Sequence, residues 1–184
     1  MHTHVELIRL LHDPLSYYAP WRLSSGQMVP AQRTALNAWL CEHHALPPYS
    51  TPAAEQATLC LRLTAGWGRL PEVAYLLGCG KHRRRVLGSP LLLSLPAHVQ
   101  TFLRLPFAEC ALHAPAVADE RSLRAWGAAY LLEGLKGRVP AWMLTRMRLC
   151  FAGLPLPPLN LPMGTDDFDM TCFWSAWNHV AHLS

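Results

Sequence analysis

Residues 67–105 read WGRLPEVAYLLGCGKHRRRVLGSPLLLSLPAHVQTFLRL, and the helical pattern there is the clearest in the chain. Leu70, Val73, Ala74 and Leu77 recur at the i, i+3, i+4, i+7 spacing of one helical face, with Pro71 in the first turn, where its missing N–H is harmless. A short buried helix is predicted. Gly78 and Gly80 can adopt the left-handed backbone that ends such a helix, so a second is expected over Lys81 to Val86, at an angle to the first. Gly88, Ser89 and Pro90 break the chain again. Leu91 to Leu93 then read as an apolar plug, and Pro96 restarts a helix whose Val99, Phe102 and Leu103 share one face. The expectation is three short helices around one knot of leucines, a scaffold without an obvious reactive group.

Toward the N-terminus, Thr3 and Glu6 have capping-box spacing for a helix through about His12, with Leu7, Leu10 and Leu11 inward. Asp13-Pro14 ends it. DPLSYYAPW, residues 13–21, reads as a turn followed by an aromatic cluster of Tyr17, Tyr18 and Trp21, either a packed connector or an exposed platform for a partner. From Pro30 to His44, Leu36, Trp39, Leu40 and His43 define a helical face that Pro47-Pro48 closes. Another helix is expected after Thr51, with Pro52 first, Glu55 in its first turn, and Leu59, Cys60, Leu63 and Trp67 on one side.

Beyond the central stretch, residues 107–118 are alanine- and proline-rich and read as a connector. Asp119 is a fitting N-cap for a long helix to about Lys136, with Leu123, Trp126 and Tyr130 on one face and Gly137 as the stop. Pro140 starts the next, where Met143, Met147, Cys150 and Phe151 form a core stripe. The proline-rich run 153–164 suits neither helix nor central strand and reads as a connection or a docking strap. The last helix is expected to be capped near Thr165, with Asp166 and Asp167 at its positive end and Met170, Phe173, Trp174, Trp177 and Val180 packed inward. No strand pattern or internal repeat competes with this reading. The expected fold class is all-α: an irregular single domain, 1–184, of short, proline-punctuated helices.

Composition bounds the function. A chain of 184 residues that is 51% apolar can bury a real core. Charged residues make up 15%, against about a quarter in an ordinary soluble domain. Either the protein is simply rich in leucine, alanine and proline, or part of its surface is covered by other proteins. A net charge of +4 is too modest to imply nucleic acid or an anionic membrane. No leader and no long uncharged apolar run is apparent, so a cytoplasmic protein without a membrane span is expected. The six cysteines are scattered without a CxxC pair, as suits reduced core residues.

Chemistry is mostly missing from the sequence. It contains no phosphate loop, GxGxxG, HExxH or GxSxG motif, so no cofactor is expected. Cys41, His43 and His44 lack a matching second cluster for zinc, and Asp166, Asp167 and Asp169 have the ordinary placing of acids at a helix N-terminus. The run Lys81-His82-Arg83-Arg84-Arg85 is either a solvated helix face or a small patch for an acidic or phosphorylated protein partner. Two other functions stay open: a helical nucleic-acid-binding module using residues 81–85, and a small cysteine-dependent enzyme.

LLHDPLSYYAPWRL near the start and GRLPEVAYLLGCGKHRRRVLGSPLLLSLPAHVQTFL in the middle resemble the OrgA/MxiK family of type III secretion apparatus proteins, the SctK type. The run RLPEVAYLLGC is the most specific part of this likeness, and Ala19 departs from it where relatives carry histidine. The resemblance implies a non-enzymatic, largely helical adaptor of the cytosolic sorting platform beneath the injectisome. It would join the cytoplasmic domain of the inner-membrane ring protein (SctD type) to the pod protein (SctQ type), which carries the export ATPase complex. No ligand set transfers residue by residue. The physical candidates for partner contact are Arg83, Arg84 and Arg85 toward the ring protein, and Tyr17, Tyr18 and Trp21 for packing or docking. By contrast Asp13, Pro14, Leu15, Leu70, Pro71 and Gly78 match the family as structural positions.

Overall fold

Helices supply the regular structure of residues 2–20, 28–105, 119–158 and 168–183, which the computed structural model describes. They are α1 (His2–His12), α2 (Pro30–His43), α3 (Ala54–Ala65), α4 (Leu70–Lys81), α5 (Arg83–Leu87), α6 (Leu91–Ser94), α7 (Ala97–Leu103), α8 (Glu120–Leu135), α9 (Ala141–Leu149) and α10 (Met170–Ala181). The fold class is all-α, as the periodicity requires. Two units form: Met1–Leu70 with Leu135–Gly153, and Pro71–Gly134 with Leu154–Ser184.

In the first unit, Asp13 both stops α1 and ties the following 3-10 turn, Pro14–Ser16, to α2. Its carboxylate accepts hydrogen bonds from Arg33 and Asn37, while Asn37 Oδ1 accepts the Leu15 N–H at 2.9 Å. Pro14 and Leu15 are thereby held in the core. α1 packs on α3 and buries Leu10, but it is already helical at His2, so Thr3 lies inside the helix and does not cap it. The inner face of α2 also differs from the apolar reading. Arg33 and Asn37 must reach Asp13, and this turns Leu36, Leu40 and Cys41 inward while leaving Trp39 and His43 exposed.

α3 begins at Ala54, later than Pro52, because the preceding loop is stitched in extended form to α9. Trp142 Nε1 donates to Ser50 O at 2.9 Å, and Arg146 Nη1 donates to Pro47 O at 2.7 Å. In the first turn of α3, Gln56 Nε2 donates to Gly137 O, in the turn between α8 and α9. Gly137 has φ +78 and ends α8, as expected from its position. The predicted stripe of Met143, Met147, Cys150 and Phe151 is buried.

In the second unit α4 is buried on nearly every side, including Val73, Ala74, Tyr75, Leu76, Leu77 and Cys79. Contrary to expectation it does not end at Gly78; it continues through both glycines to Lys81. The use of Gly78 is its missing side chain. A Cβ there would stand 2.1 Å from the Leu123 carbonyl oxygen of α8, and one on Gly127 would stand 1.7 Å from the Ala74 carbonyl oxygen of α4. The two helix backbones touch at this crossing.

Asp119 caps α8 by accepting the Ser122 N–H at 2.7 Å, as predicted. α10 is capped by Asp169, which accepts the Cys172 N–H, and not near Thr165. Thr165, Asp166, Asp167, the 107–118 connector, Cys110 and residues 159–164 of the proline-rich connection lie outside the described residues. Ahead of that cap, Phe168 lies against Gly134, where a Cβ would meet its ring at 1.9 Å, and Tyr130 Oη accepts the Asp169 N–H.

The leucine plug is the largest departure. Pro90 and Pro96 confine α6 to a single turn in which no residue is buried, and Leu93 is 84% exposed. Leu95, just beyond it in extended backbone, takes the core position instead.

Candidate interaction surface

The basic run is sorted by the break between α4 and α5. Lys81, at the end of α4, lies with Nζ 4.5 Å from the centre of the Tyr130 ring. His82 is buried edge-on against Trp126. Arg83 is half-buried and donates from Nε to Leu103 O at 2.8 Å, binding the carbonyl end of α7. Val86 anchors α5 in the core, which leaves Arg84 and Arg85 exposed on its outer side. Of the three candidate arginines, then, two face solvent and one ties helices together.

Burial and the neighbouring charge of Arg85 lower the His82 pKa to about 4. Its ring is neutral in the folded protein, and the unfolded chain takes up a proton at a higher pH. The stabilisation is therefore complete above about pH 6.5 and is lost as pH falls toward the folded value. His82→Phe keeps the ring against Trp126 and removes the titration. Relative to this variant, the parent should lose on the order of 3 kcal/mol between pH 6.5 and pH 4. Urea unfolding at a series of pH values measures it; parallel pH profiles would contradict the neutral buried ring.

Tyr17 and Tyr18 belong to the other unit. Tyr17 is buried edge-on against Trp67 and donates its hydroxyl hydrogen to Leu10 O at 2.8 Å; desolvation raises its pKa. Tyr18 is half-buried with its ring against His44. From His44 the ring contacts continue to His43, which stacks flat on Trp39 with centres 4.5 Å apart. Trp21 lies outside the described residues.

Sequence reasoning missed an ionic network in the second unit. Glu72 meets His98 Nε2 at 2.8 Å and Arg124 at 3.5 Å; Arg124 also pairs with Glu120 and covers the Tyr75 ring at 3.9 Å. Only the i, i+4 spacing of Glu120 and Arg124 was a readable signal. Among the described residues, the thiols of Cys60, Cys79, Cys150 and Cys172 are buried and that of Cys41 is half-buried, and no three His, Cys, Asp or Glu side chains gather as metal ligands. Burial pushes the Cys79 thiol pKa up, away from nucleophilic character.

A family model described as a bacterial type III secretion apparatus protein (OrgA_MxiK) matches residues 7–179. The oxygen-regulated invasion protein OrgA of Salmonella typhimurium strains LT2 and SL1344 is 38% identical over 100 residues, covering 53% of this chain and 50% of the relative. The match thus spans about half the length of these curated relatives. No solved structure matches the chain.

Proposed function

Since the chain belongs to the OrgA/MxiK family of bacterial type III secretion apparatus proteins, we propose that it is a non-enzymatic adaptor at the cytosolic face of the injectisome. It links the inner-membrane ring protein (SctD type) to the pod protein (SctQ type), and through the latter to the export ATPase complex. The family match over residues 7–179 carries this reading.

Physical features support it. The chain forms two compact units, each with its own surface. Among the described residues no helix is long and apolar enough to cross a membrane. Burial makes Cys60, Cys79, Cys150 and Cys172 poor candidates for a nucleophile. Arg84 and Arg85 are the exposed part of the basic run, too few cations for a phosphate-tracking stripe but enough for carboxylates of a protein partner. In the ring-protein contact Arg84 and Arg85 touch the partner, whereas Arg83 positions α5 against α7; Tyr17 and Tyr18 pack the first unit.

The ring protein's cytoplasmic domain and the pod protein, purified separately and mixed with this chain, should elute from gel filtration as one ternary complex. Neither partner should bind the other when this chain is left out. Failure of the chain to bind both partners at once would refute the linking role.

A further inference from the structure

We propose that Arg146 anchors a carboxylate-binding site in the first unit, bordered by Tyr17 and Trp67 and roofed by the strap of residues 46–53. The inference does not depend on the adaptor reading.

Its first support is a pair of buried donors. Guanidinium and indole N–H groups can donate hydrogen bonds but not accept them. Arg146 is 4% exposed, and its bonds to Pro47 O at 2.7 Å and Trp142 O at 3.3 Å both leave from Nη1. Its Nε–H is buried without an acceptor among the described residues. Trp67 is 5% exposed, and its Nε1–H is buried in the same condition. Both residues border Tyr17. The Trp67 and Tyr17 rings meet edge-on with centres 5.7 Å apart, and the Arg146 charge opposes the rise that burial imposes on the Tyr17 pKa.

Charge and shape select the ligand. Asp13, whose carboxylate also acts on Tyr17, is taken by Arg33 and Asn37. Arg146 is therefore a buried cation balanced by two carbonyl dipoles and the Trp142 ring, 5.8 Å away, with no carboxylate paired to it among the described residues. The Nε side of a guanidinium is an edge onto which a carboxylate docks. Arg146 is also the one cation among the groups acting on Tyr17, so a single negative charge is balanced there and a phosphate dianion is not.

Entry is by way of the strap. Pro47, Pro48 and Pro52 have no N–H, and among the described residues no backbone–backbone hydrogen bond involves residues 47–52. Arg146 on Pro47 O and Trp142 on Ser50 O hold it down, so it lifts without unwinding a helix.

The test titrates the nitrogen-15-labelled full chain at pH 7, separately, with sodium acetate, acetamide, sodium chloride, sodium phosphate and N-acetyl-aspartate N-methylamide. The indole resonance missing from Trp67→Phe identifies the Trp67 N–H. It should move saturably with acetate and stay in place with acetamide and chloride. Arg146→Lys keeps the charge but not the fork and should weaken acetate binding about tenfold; if it does not fold, the contrast between acetate and acetamide in the parent decides. Trp142→Phe frees the strap at Ser50 and should speed acetate exchange about fivefold. Saturation by the aspartate derivative at lower concentration than by acetate would assign the carboxylate to a protein side chain, and the reverse order to a small free acid. No movement with any probe would overturn the site, and acetamide, chloride or phosphate matching acetate would overturn its chemistry. An unchanged exchange rate in Trp142→Phe would overturn the strap as the way in.

Discussion

Gly127→Ala should destabilise the protein by about 3 kcal/mol or more, even though alanine is the better helix former by about 1 kcal/mol. The added methyl would sit 1.7 Å from the Ala74 carbonyl oxygen, and the obstructing atom is backbone, so no side chain can rotate to make room. α4 and α8 must separate, and Val73, Ala74, Leu77 and Leu123 on the apposed helices would lose contacts now sealed from water. Gly78→Ala meets Leu123 O at 2.1 Å and should act the same way. Once one methyl has parted the helices the other has space, so the double variant should cost at least about 1 kcal/mol less than the sum of the singles. Chemical denaturation of the four proteins closes the cycle. Strict additivity, or a Gly127→Ala variant as stable as the parent, would mean that the backbones do not meet there.

Trp142→Ala should cost about 3–5 kcal/mol, a loss located in the other unit. The indole is 2% exposed, packs against Tyr49 with ring centres 5.2 Å apart, and donates to Ser50 O. With Arg146 on Pro47 O, it holds the loop between α2 and α3 against α9. Trp142→Phe keeps most of the apolar contact and removes the donor, so about 1 kcal/mol is expected for the hydrogen bond itself. Limited proteolysis within residues 47–53 should be faster in Trp142→Ala than in the parent. An alanine variant that melts with the parent would show that this loop is not held by α9.

Much of the fold was readable because its signals are local. Asp119 three residues before Ser122, Pro140 ahead of the Met143, Met147, Cys150 and Phe151 stripe, and the left-handed Gly137 each act within one or two helical turns. The errors share a cause. Apolar and aromatic character puts Trp39 and His43 on the inner face of α2, but the helix is oriented by Arg33 and Asn37 reaching back to Asp13. Thr165 was an acceptable cap by type, yet Asp169 holds the position because Tyr130 on another helix binds its N–H. In the candidate surface, the basic run stood out by composition, but nothing in five successive charged or histidine residues says which one turns inward.

Sequence by itself determined that this chain is helical and where most of its helices begin and stop, since periodicity, caps and prolines act on neighbouring residues. It also carried the likeness to a secretion-apparatus family in residues 10–23 and 67–103. Only the tertiary structure decided that Gly78 and Gly127 let two backbones touch, that Arg83 caps a helix while Arg84 and Arg85 face outward, and that Leu93 is exposed and Leu95 buried. Each of those outcomes depends on which distant residue occupies the space beside it, and that is a property of packing between elements that local pattern does not encode.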